Sequence, residues 1–232
     1  MSTHPGVELA HRFFSGTGTT YDHIVHVCTI GLDLWWKKRI LEKIPQNPLR
    51  IIDQACGTGI LTFKIAQRFP RCHVTGVELR DEYLNIARQK AMALKLSHVE
   101  FLLGRAEDTV LDERVDCITS SYLAKYAELA TLVENAGKML RPGGLLIMHD
   151  FTYPSGRIFP RIWEFYFRIL QTAGAWKYPQ WRTAFYELPE LLHNTAWVTE
   201  LFRAMRENDF TDIQTESLTL GTSMIVSGIK KV

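Results

Sequence analysis

The chain has no dense stripe of Lys and Arg. Its 27 basic and 25 acidic residues are mixed along 232 positions and leave a net charge of +2, so it lacks the electrostatic footprint with which proteins grip a phosphate backbone. Nucleic acid is therefore not an expected partner. No uninterrupted apolar run is long enough to span a bilayer, and the start, "MSTHPGVELAHRFF", lacks the basic, then apolar, then small-residue order of a signal peptide. A cytoplasmic protein is expected, with peripheral contact to a membrane left open. Cysteine is scarce: Cys28, Cys56, Cys72 and Cys117 form no CxxC pair and no zinc-like spacing, which argues against a disulfide framework or a metal site and for four independent reduced thiols. Internal repeats and low-complexity segments are absent too.

What is present is apolar residue enough, 46%, to fill the core of one globular unit. From Arg50 short apolar runs alternate with longer amphipathic segments: "RIIDQA", "ILTFKIAQRF", "HVTGVEL", "EYLNIARQKAMALKL", "VEFLLG". That alternation predicts parallel strands joined by crossover helices in a doubly wound α/β sheet. Two more strands follow, "VDCITSS" and "GLLIMHDF", the second entered through the turn signal "RPGG". The end of the chain reads as an antiparallel hairpin at one sheet edge, turning at 219–221. Seven strands result. The division expected is an N-terminal helical cap segment over 7–45, a cofactor-binding core over 50–153, an aromatic helical cap over 154–208 and the hairpin over 209–232.

"IIDQACGTGIL" carries the sharpest chemistry. Asp53 ends a buried strand, and the small residues Ala55, Gly57 and Gly59 let the backbone turn tightly toward a ligand at a helix N-terminus. Glu78, about 25 residues further, ends the second strand, where a carboxylate can accept both hydroxyls of a ribose. Plain structural alternatives are a helix cap for Asp53 and a solvated strand end for Glu78. Thr62 stands where dinucleotide-binding dehydrogenases carry the third glycine of GxGxxG, which argues against a nicotinamide cofactor.

"DQACGTG" with Glu78 resembles motif I and the following acid of class I S-adenosylmethionine-dependent methyltransferases, and "FLLGRAED" resembles the segment that borders adenine in them. The resemblance covers nearly the whole chain when set against the ubiquinone/menaquinone-biosynthesis C-methyltransferases. Phe14, Ser15, Tyr21, Asp22, Gly31, Trp36 and Lys37 match that family's opening without a gap, and "DCITSS", "LRPGGLLIMHDFTYP" and "FRAMRENDFTDIQTESLTLGTSMIVSGIK" match its fourth strand, fifth strand and closing helix with hairpin. It implies a Rossmann-like methyltransferase fold with a helical cap, S-adenosylmethionine as methyl donor, S-adenosylhomocysteine as product, and no metal. The implied cofactor residues are Tyr21, Asp53, Ala55, Gly57, Thr58, Gly59, Glu78, Leu79, Arg105, Ala106 and Ser120. Two departures stand out. Arg105 replaces the usual Asp or Asn, which leaves the adenine amino group to Glu107, Asp108 or water, and Tyr122, Leu123, Ala124 and Lys125 replace Gly-Leu-Arg-Asn after the fourth strand.

The sulfonium methyl is already activated, so alignment and exclusion of water matter more than acid-base work. For a ring carbon beside a phenolic oxygen, a base that removes the phenolic proton is useful. At the carboxyl ends of strands four and five the candidates are Tyr122, Lys125, His149, Asp150 and Tyr153; the cap adds Tyr21, His23 and His193. His149 and Asp150 are favoured, with Lys125 as a stabiliser of the phenolate, and replacing His149 or Asp150 by Ala is expected to abolish turnover with cofactor affinity intact. The alternatives are a packed histidine and a loop-capping aspartate.

Residues 157 to 186 hold ten of the 26 aromatic side chains. A helix starting at Pro160 places Arg161, Glu164 and Arg168 on one narrow polar stripe and leaves an apolar circumference wider than one buried face needs. Gly174 and Pro179 are expected to break it into a flexible lid. Tyr153, Trp163, Phe167, Trp176, Tyr178, Trp181 and His193 are the expected contacts to an apolar acceptor. By resemblance that acceptor is a polyprenyl quinol methylated at carbon; a small phenol methylated at carbon or oxygen, or a cofactor-binding subunit without transfer, are the alternatives. A homodimer is left open.

Overall fold

A computed structural model describes residues 5–232; the first four residues of the N-terminal stretch read above for a targeting signal lie outside the described residues. A seven-stranded sheet runs β3-β2-β1-β4-β5-β7-β6, built from β1 (Arg50–Gln54), β2 (His73–Glu78), β3 (Val99–Leu103), β4 (Val115–Ser121), β5 (Leu140–Phe151), β6 (Phe210–Leu218) and β7 (Ser223–Lys230). β1 to β5 are parallel, and β7 inserts antiparallel between β5 and β6. β1 and β4 are buried along nearly their whole length, as unbroken apolar runs covered on both faces require. The strand order reverses between β1 and β4, the position at which open α/β sheets bind ligands.

The crossovers are α4 (Ile60–Arg68), α5 (Asp81–Ala93) and α6 (Leu129–Met139). α6 buries Leu129, Leu132, Val133 and Ala136, one face at helical spacing. "RPGG" is not a separate turn between helix and strand. It lies inside β5 as a bulge: Val115 pairs with Leu140 but Cys117 with Leu145, and Gly143 takes φ +78° to make room.

Three helices precede the sheet, α1 (Pro5–Phe14), α2 (Tyr21–Cys28) and α3 (Leu32–Lys43). They are strapped down by Glu82, whose carboxylate accepts Gly16 N at 3.1 Å and Gly18 N at 2.7 Å. After β5 come α7 (Phe159–Ile169), one π turn (Leu170–Gly174), the short α8 (Ala175–Lys177), α9 (Arg182–Asn194) and α10 (Trp197–Glu207). Gly174 does not break the helix; the π turn carries the chain through it, and a Cβ at this position would stand 3.2 Å from the Phe185 ring, so glycine admits α9. Pro189 sits inside α9. The carbonyl it leaves without a helical donor, that of Phe185, accepts Gln171 Nε2 at 3.3 Å instead. α10, assigned above to the cap, packs on α6 and β6 in the layer that covers the sheet. Its Trp197, Leu201, Ala204 and Met205 complete the core on that side. All four cysteines are free thiols.

Candidate active site

The turn after β1 alternates left-handed residues: φ is +53° at Ala55, +58° at Gly57 and +88° at Gly59. Gly59 caps α4, and a Cβ there would meet the Phe63 ring at 2.5 Å. Asp53, 1% exposed, accepts Thr62 Oγ1 at 2.6 Å and Thr119 Oγ1 at 3.1 Å. Burial raises its pKa to about 6, the two hydroxyls pulling the other way. Thr62, the residue that departs from the dehydrogenase pattern, is thus what ties α4 to the end of β1.

Glu78 is no solvated strand end. It is buried, accepts Gly57 N at 2.9 Å and Arg80 N at 2.9 Å, and has its pKa raised by burial against those two amides. The rings of Tyr21 and Tyr83 pack 5.2 Å apart over Gly57, where a Cβ would stand within 3.9 Å of both. Burial, then neighbouring phenols and carboxylates, push the Tyr21 hydroxyl well above its ordinary pKa. Thr58 Oγ1 bonds the carboxylate of Asp22, the residue after Tyr21. Leu79, Arg105, Ala106 and Ser120 follow at the carboxyl ends of β2, β3 and β4. The turn and these strand ends form one continuous edge. Along it Gln54 Oε1, Arg105 Nη2, Ser120 Oγ, Tyr122 Oη and Lys37 Nζ are buried without a hydrogen-bond partner among the described residues. Buried polar atoms are rarely left so, and a long, polar, zwitterionic nucleoside is the kind of ligand they fit. Glu107 and Asp108 are partly engaged already, Glu107 with Glu128 N at 3.2 Å and Asp108 with Arg105 at 3.3 Å.

Beside this edge lies a cavity of about 340 Å³, within the range of small-molecule sites. Its wall is aromatic and aliphatic, drawn from α1 (Phe13, Phe14), α2 (Tyr21, Ile24), α7 (Trp163, Tyr166, Phe167), α9 (Phe185) and Trp181. Among the described residues that line it, Lys125 is the one charged group. The ammonium bonds Asp150 Oδ1 at 2.7 Å and the Tyr122 carbonyl at 3.0 Å, and lies 4.4 Å from the Tyr126 ring centroid. Burial lowers the pKa of Lys125, with Asp150 opposing. Tyr122 also faces the cavity, held at φ +74° with its ring stacked 4.7 Å from Phe151. A non-glycine residue in that region stores strain of about 1–3 kcal/mol, a common mark of functional sites.

The four candidate catalytic residues separate. Tyr122 and Lys125 reach the cavity; His149 and Asp150 do not. His149 is fully buried between Ser121 Oγ (2.9 Å) and Ser223 Oγ (2.6 Å), so both ring nitrogens are taken, and burial holds its pKa well below the usual range. It is the packed histidine of the plainer reading. Asp150 accepts Lys125 Nζ, Lys125 N (3.1 Å) and Phe151 N (2.7 Å), which leaves it to position the lysine.

Of the expected acceptor contacts, Trp163, Phe167 and Trp181 line the cavity. Tyr153 turns away to Glu164 (2.8 Å) and to the His193 ring (4.8 Å). Tyr178 bonds His23 at 2.8 Å, and Trp176 is 86% exposed on the outer surface. Trp181 is no lid residue: it is buried, with Nε1 bonded to Thr20 Oγ1 at 2.9 Å. The sequence reading passed over Phe13, Tyr126, Phe151 and the hairpin residue Leu220, which also lines the cavity. The run of positive φ at Thr219, Leu220 and Gly221 turns that residue outward. Ile30, Ile162 and Leu220 both line the cavity and are more than half exposed, and so mark its mouth.

The sequence model of the ubiE/COQ5 methyltransferase family matches residues 4–230. A ubiquinone/menaquinone biosynthesis C-methyltransferase from Geotalea daltonii is 25% identical over 236 aligned residues, covering 96% of this chain and 97% of its own. A demethylmenaquinone methyltransferase from Deinococcus radiodurans is 27% identical over 172 residues, 72% of this chain and 71% of its own. Among solved structures, geranyl diphosphate C-methyltransferase from Streptomyces coelicolor superposes with a TM-score of 0.64 at 16% identity, over 86% of this chain and 76% of that one. An O-methyltransferase family protein from Burkholderia thailandensis gives 0.65 at 16% identity, over 95% and 62%. At such identities the superpositions establish the fold.

Proposed function

We propose that this chain, which belongs to the ubiE/COQ5 methyltransferase family and is an S-adenosylmethionine-dependent methyltransferase, methylates a ring carbon of a polyprenyl quinol of the demethylmenaquinol type. The supporting observation is the aromatic cavity with the Lys125 ammonium on its wall and a mouth rimmed by exposed Ile30, Ile162 and Leu220. A quinol ring fits the aromatic interior, one oxygen beside Lys125, and an isoprenoid tail leaves over the apolar rim.

When bound, S-adenosylmethionine supplies a sulfonium methyl that needs no further activation. The chain's residues position and exclude water. Glu78 would take the ribose, the Ala55–Gly59 turn and Tyr21 would hold the amino-acid end, and Ala106 would border the adenine. Lys125, held by Asp150 at 2.7 Å, would stabilise the phenolate left when the phenolic proton passes to solvent at the mouth, and the charge flows to the ortho carbon. Once that carbon carries the methyl it would lose its ring proton to solvent and regain aromaticity. In so apolar a site a fixed cation acts far more strongly than in water. It supplies the positive charge that the missing Arg-Asn pair removes.

The outer side of α7 carries the acceptor's route to a bilayer. Ile158, Ile162, Phe165 and Ile169 recur at helical spacing and are all exposed, with Arg157, Arg161 and Arg168 beside them. An exposed apolar ridge flanked by cations fits an anionic lipid surface. No described helix is long and apolar enough to cross a membrane, so the contact would be peripheral. The deciding experiment is transfer of labelled methyl to demethylmenaquinols of long and short tail, with the product identified. Label on the ring carbon is expected, and better with a tail than without; methylation confined to oxygen of small phenols would sink the proposal.

A further inference from the structure

Lys37 has no part in the chemistry above. It lies in α3, 2% exposed, and its Nζ makes no hydrogen bond to any described residue. The nearest carboxylate oxygen, Asp33 Oδ2, is 3.9 Å away, beyond hydrogen-bond reach. Asp33 spends its other oxygen on Thr29 Oγ1 at 3.1 Å. At 3.9 Å Asp33 compensates the buried ammonium only in part, and no hydrogen bond to a described residue satisfies it, so the position has room for a second anion that does.

Its surroundings identify that anion. Nζ stands 4.7 Å from the centroid of the Tyr122 ring, and Tyr122 lines the acceptor cavity while Lys37 does not. The ring therefore separates this ammonium from the acceptor. The charges that act on Lys37 from neighbouring elements are Asp53 at the end of β1, Asp22 of α2, which holds Thr58, and Lys64 of α4, besides Asp33 of its own helix. Lys37 thus sits within electrostatic reach of the glycine-rich turn, at the β1/β4 switch point. Of the other cations nearby, Lys125 is paired with Asp150, Lys90 with Asp22 at 2.5 Å, and Arg80 with His11 and Glu82, while Arg105, which keeps Nη2 unpartnered, stands at the end of β3 on the adenine side. Burial lowers the Lys37 pKa to about 8, as expected of a charge awaiting a counter-ion.

With the ribose at Glu78 and the sulfonium directed at the Tyr122 and Lys125 side, the amino-acid end of the cofactor falls at the turn, and its carboxylate is the one anionic group the site has not matched. We propose that Lys37 binds the carboxylate of the cofactor's methionine end and so sets how far the sulfonium reaches toward the acceptor. This rests on the cofactor assignment. Two ligands separate the two claims: S-adenosylhomocysteine, and 5′-methylthioadenosine, which has the same nucleoside and thioether but no amino-acid end.

Calorimetric titration of wild type and Lys37→Met with both is the test. Wild type should bind S-adenosylhomocysteine the more tightly. The variant should lose roughly 10- to 100-fold in affinity for it, the loss of one charge-assisted bond, and less than about twofold for methylthioadenosine. Its unliganded melting temperature should fall, because the buried Asp33 carboxylate loses its ion-pair partner. If the single variant folds poorly, the same affinity ratio is read in Lys37→Met with Asp33→Asn. Equal losses for both ligands, or none, would overturn the proposal. Failure of wild type to bind S-adenosylhomocysteine would remove the cofactor assignment, and this inference with it.

Discussion

Lys125 and Asp150 form a fully desolvated pair, and such pairs behave asymmetrically when cut. Lys125→Met strands a buried carboxylate, so a stability loss of about 3–5 kcal/mol is expected, together with a fall in kcat of roughly 100- to 1,000-fold. Adding Asp150→Asn should restore most of the melting temperature and none of the rate; recovery of activity in the double variant would show that the cation is structural only. His149 makes a different prediction, about stability and pH. It is buried neutral, with its pKa depressed, so the unfolded chain binds its proton first. Stability is therefore full above pH 6.5 and falls as pH drops below it, by up to about 1.4 kcal/mol per unit. Asp53, raised to about 6, is the opposing case: below that pH the folded form takes up the proton and offsets part of the loss down to pH 3.8. His149→Gln should flatten the acid limb of a denaturation series between pH 7 and 6, where Asp53, at most half protonated, offsets only part of the slope. An unchanged limb would mean that another group titrates there.

Among elements, the turn into α4 shows how one position can be fixed by backbone and packing together. Gly59 needs φ +88° and has Phe63 where a Cβ would go, so Gly59→Ala should cost about 2 kcal/mol or more and weaken S-adenosylhomocysteine binding in titration. Ala55, also left-handed at φ +53°, is the contrasting case: Ala55→Gly relieves strain at that site. α7 resolves the question its composition raised. Trp163, Tyr166 and Phe167 face the cavity, while Ile158, Phe165 and Ile169 face outward, so the wide apolar circumference is two surfaces back to back. Phe165→Ser with Ile169→Ser should abolish co-sedimentation with anionic vesicles while leaving transfer to a short-tailed, water-soluble quinol within about twofold. Loss of a dimer in the same variant, with vesicle binding intact, would assign the ridge to a second copy of this chain instead.

At the scale of the whole molecule, the site is closed by segments far apart in sequence. Glu82 of α5 straps 16–18 to the core, Asp22 reaches Thr58, and Trp36 Nε1 bonds Thr219 Oγ1 at 2.7 Å. Cofactor binding should therefore tighten the N-terminal helices together with the sheet edge. S-adenosylhomocysteine at one hundred times its Kd should add about 2.7 kcal/mol of stability, with hydrogen-exchange protection growing in 16–43 and 53–62. The α6 and α10 layer on the far side of the core should change little, and equal protection across both regions would contradict this coupling.

The doubly wound sheet, its seven strands and its antiparallel end were legible because each is written locally: apolar runs of strand length, helical periodicity between them, and glycines where the backbone must turn left-handed. That Asp53, the Ala55–Gly59 turn and Glu78 share one edge of the sheet was legible for the same reason, since they follow their own strands directly. Tertiary structure alone decided which polar residues line the cavity. His149 and Asp150 are adjacent in sequence and both fully buried, yet one is locked between two serines from other strands and the other spends its oxygens on Lys125. It likewise decided that Trp181 is core, that Trp176 is surface, and that a hairpin leucine helps to form the mouth. Burial and hydrogen-bond partners at those positions come from segments up to some two hundred residues away, and no local pattern records which distant side chain will be facing.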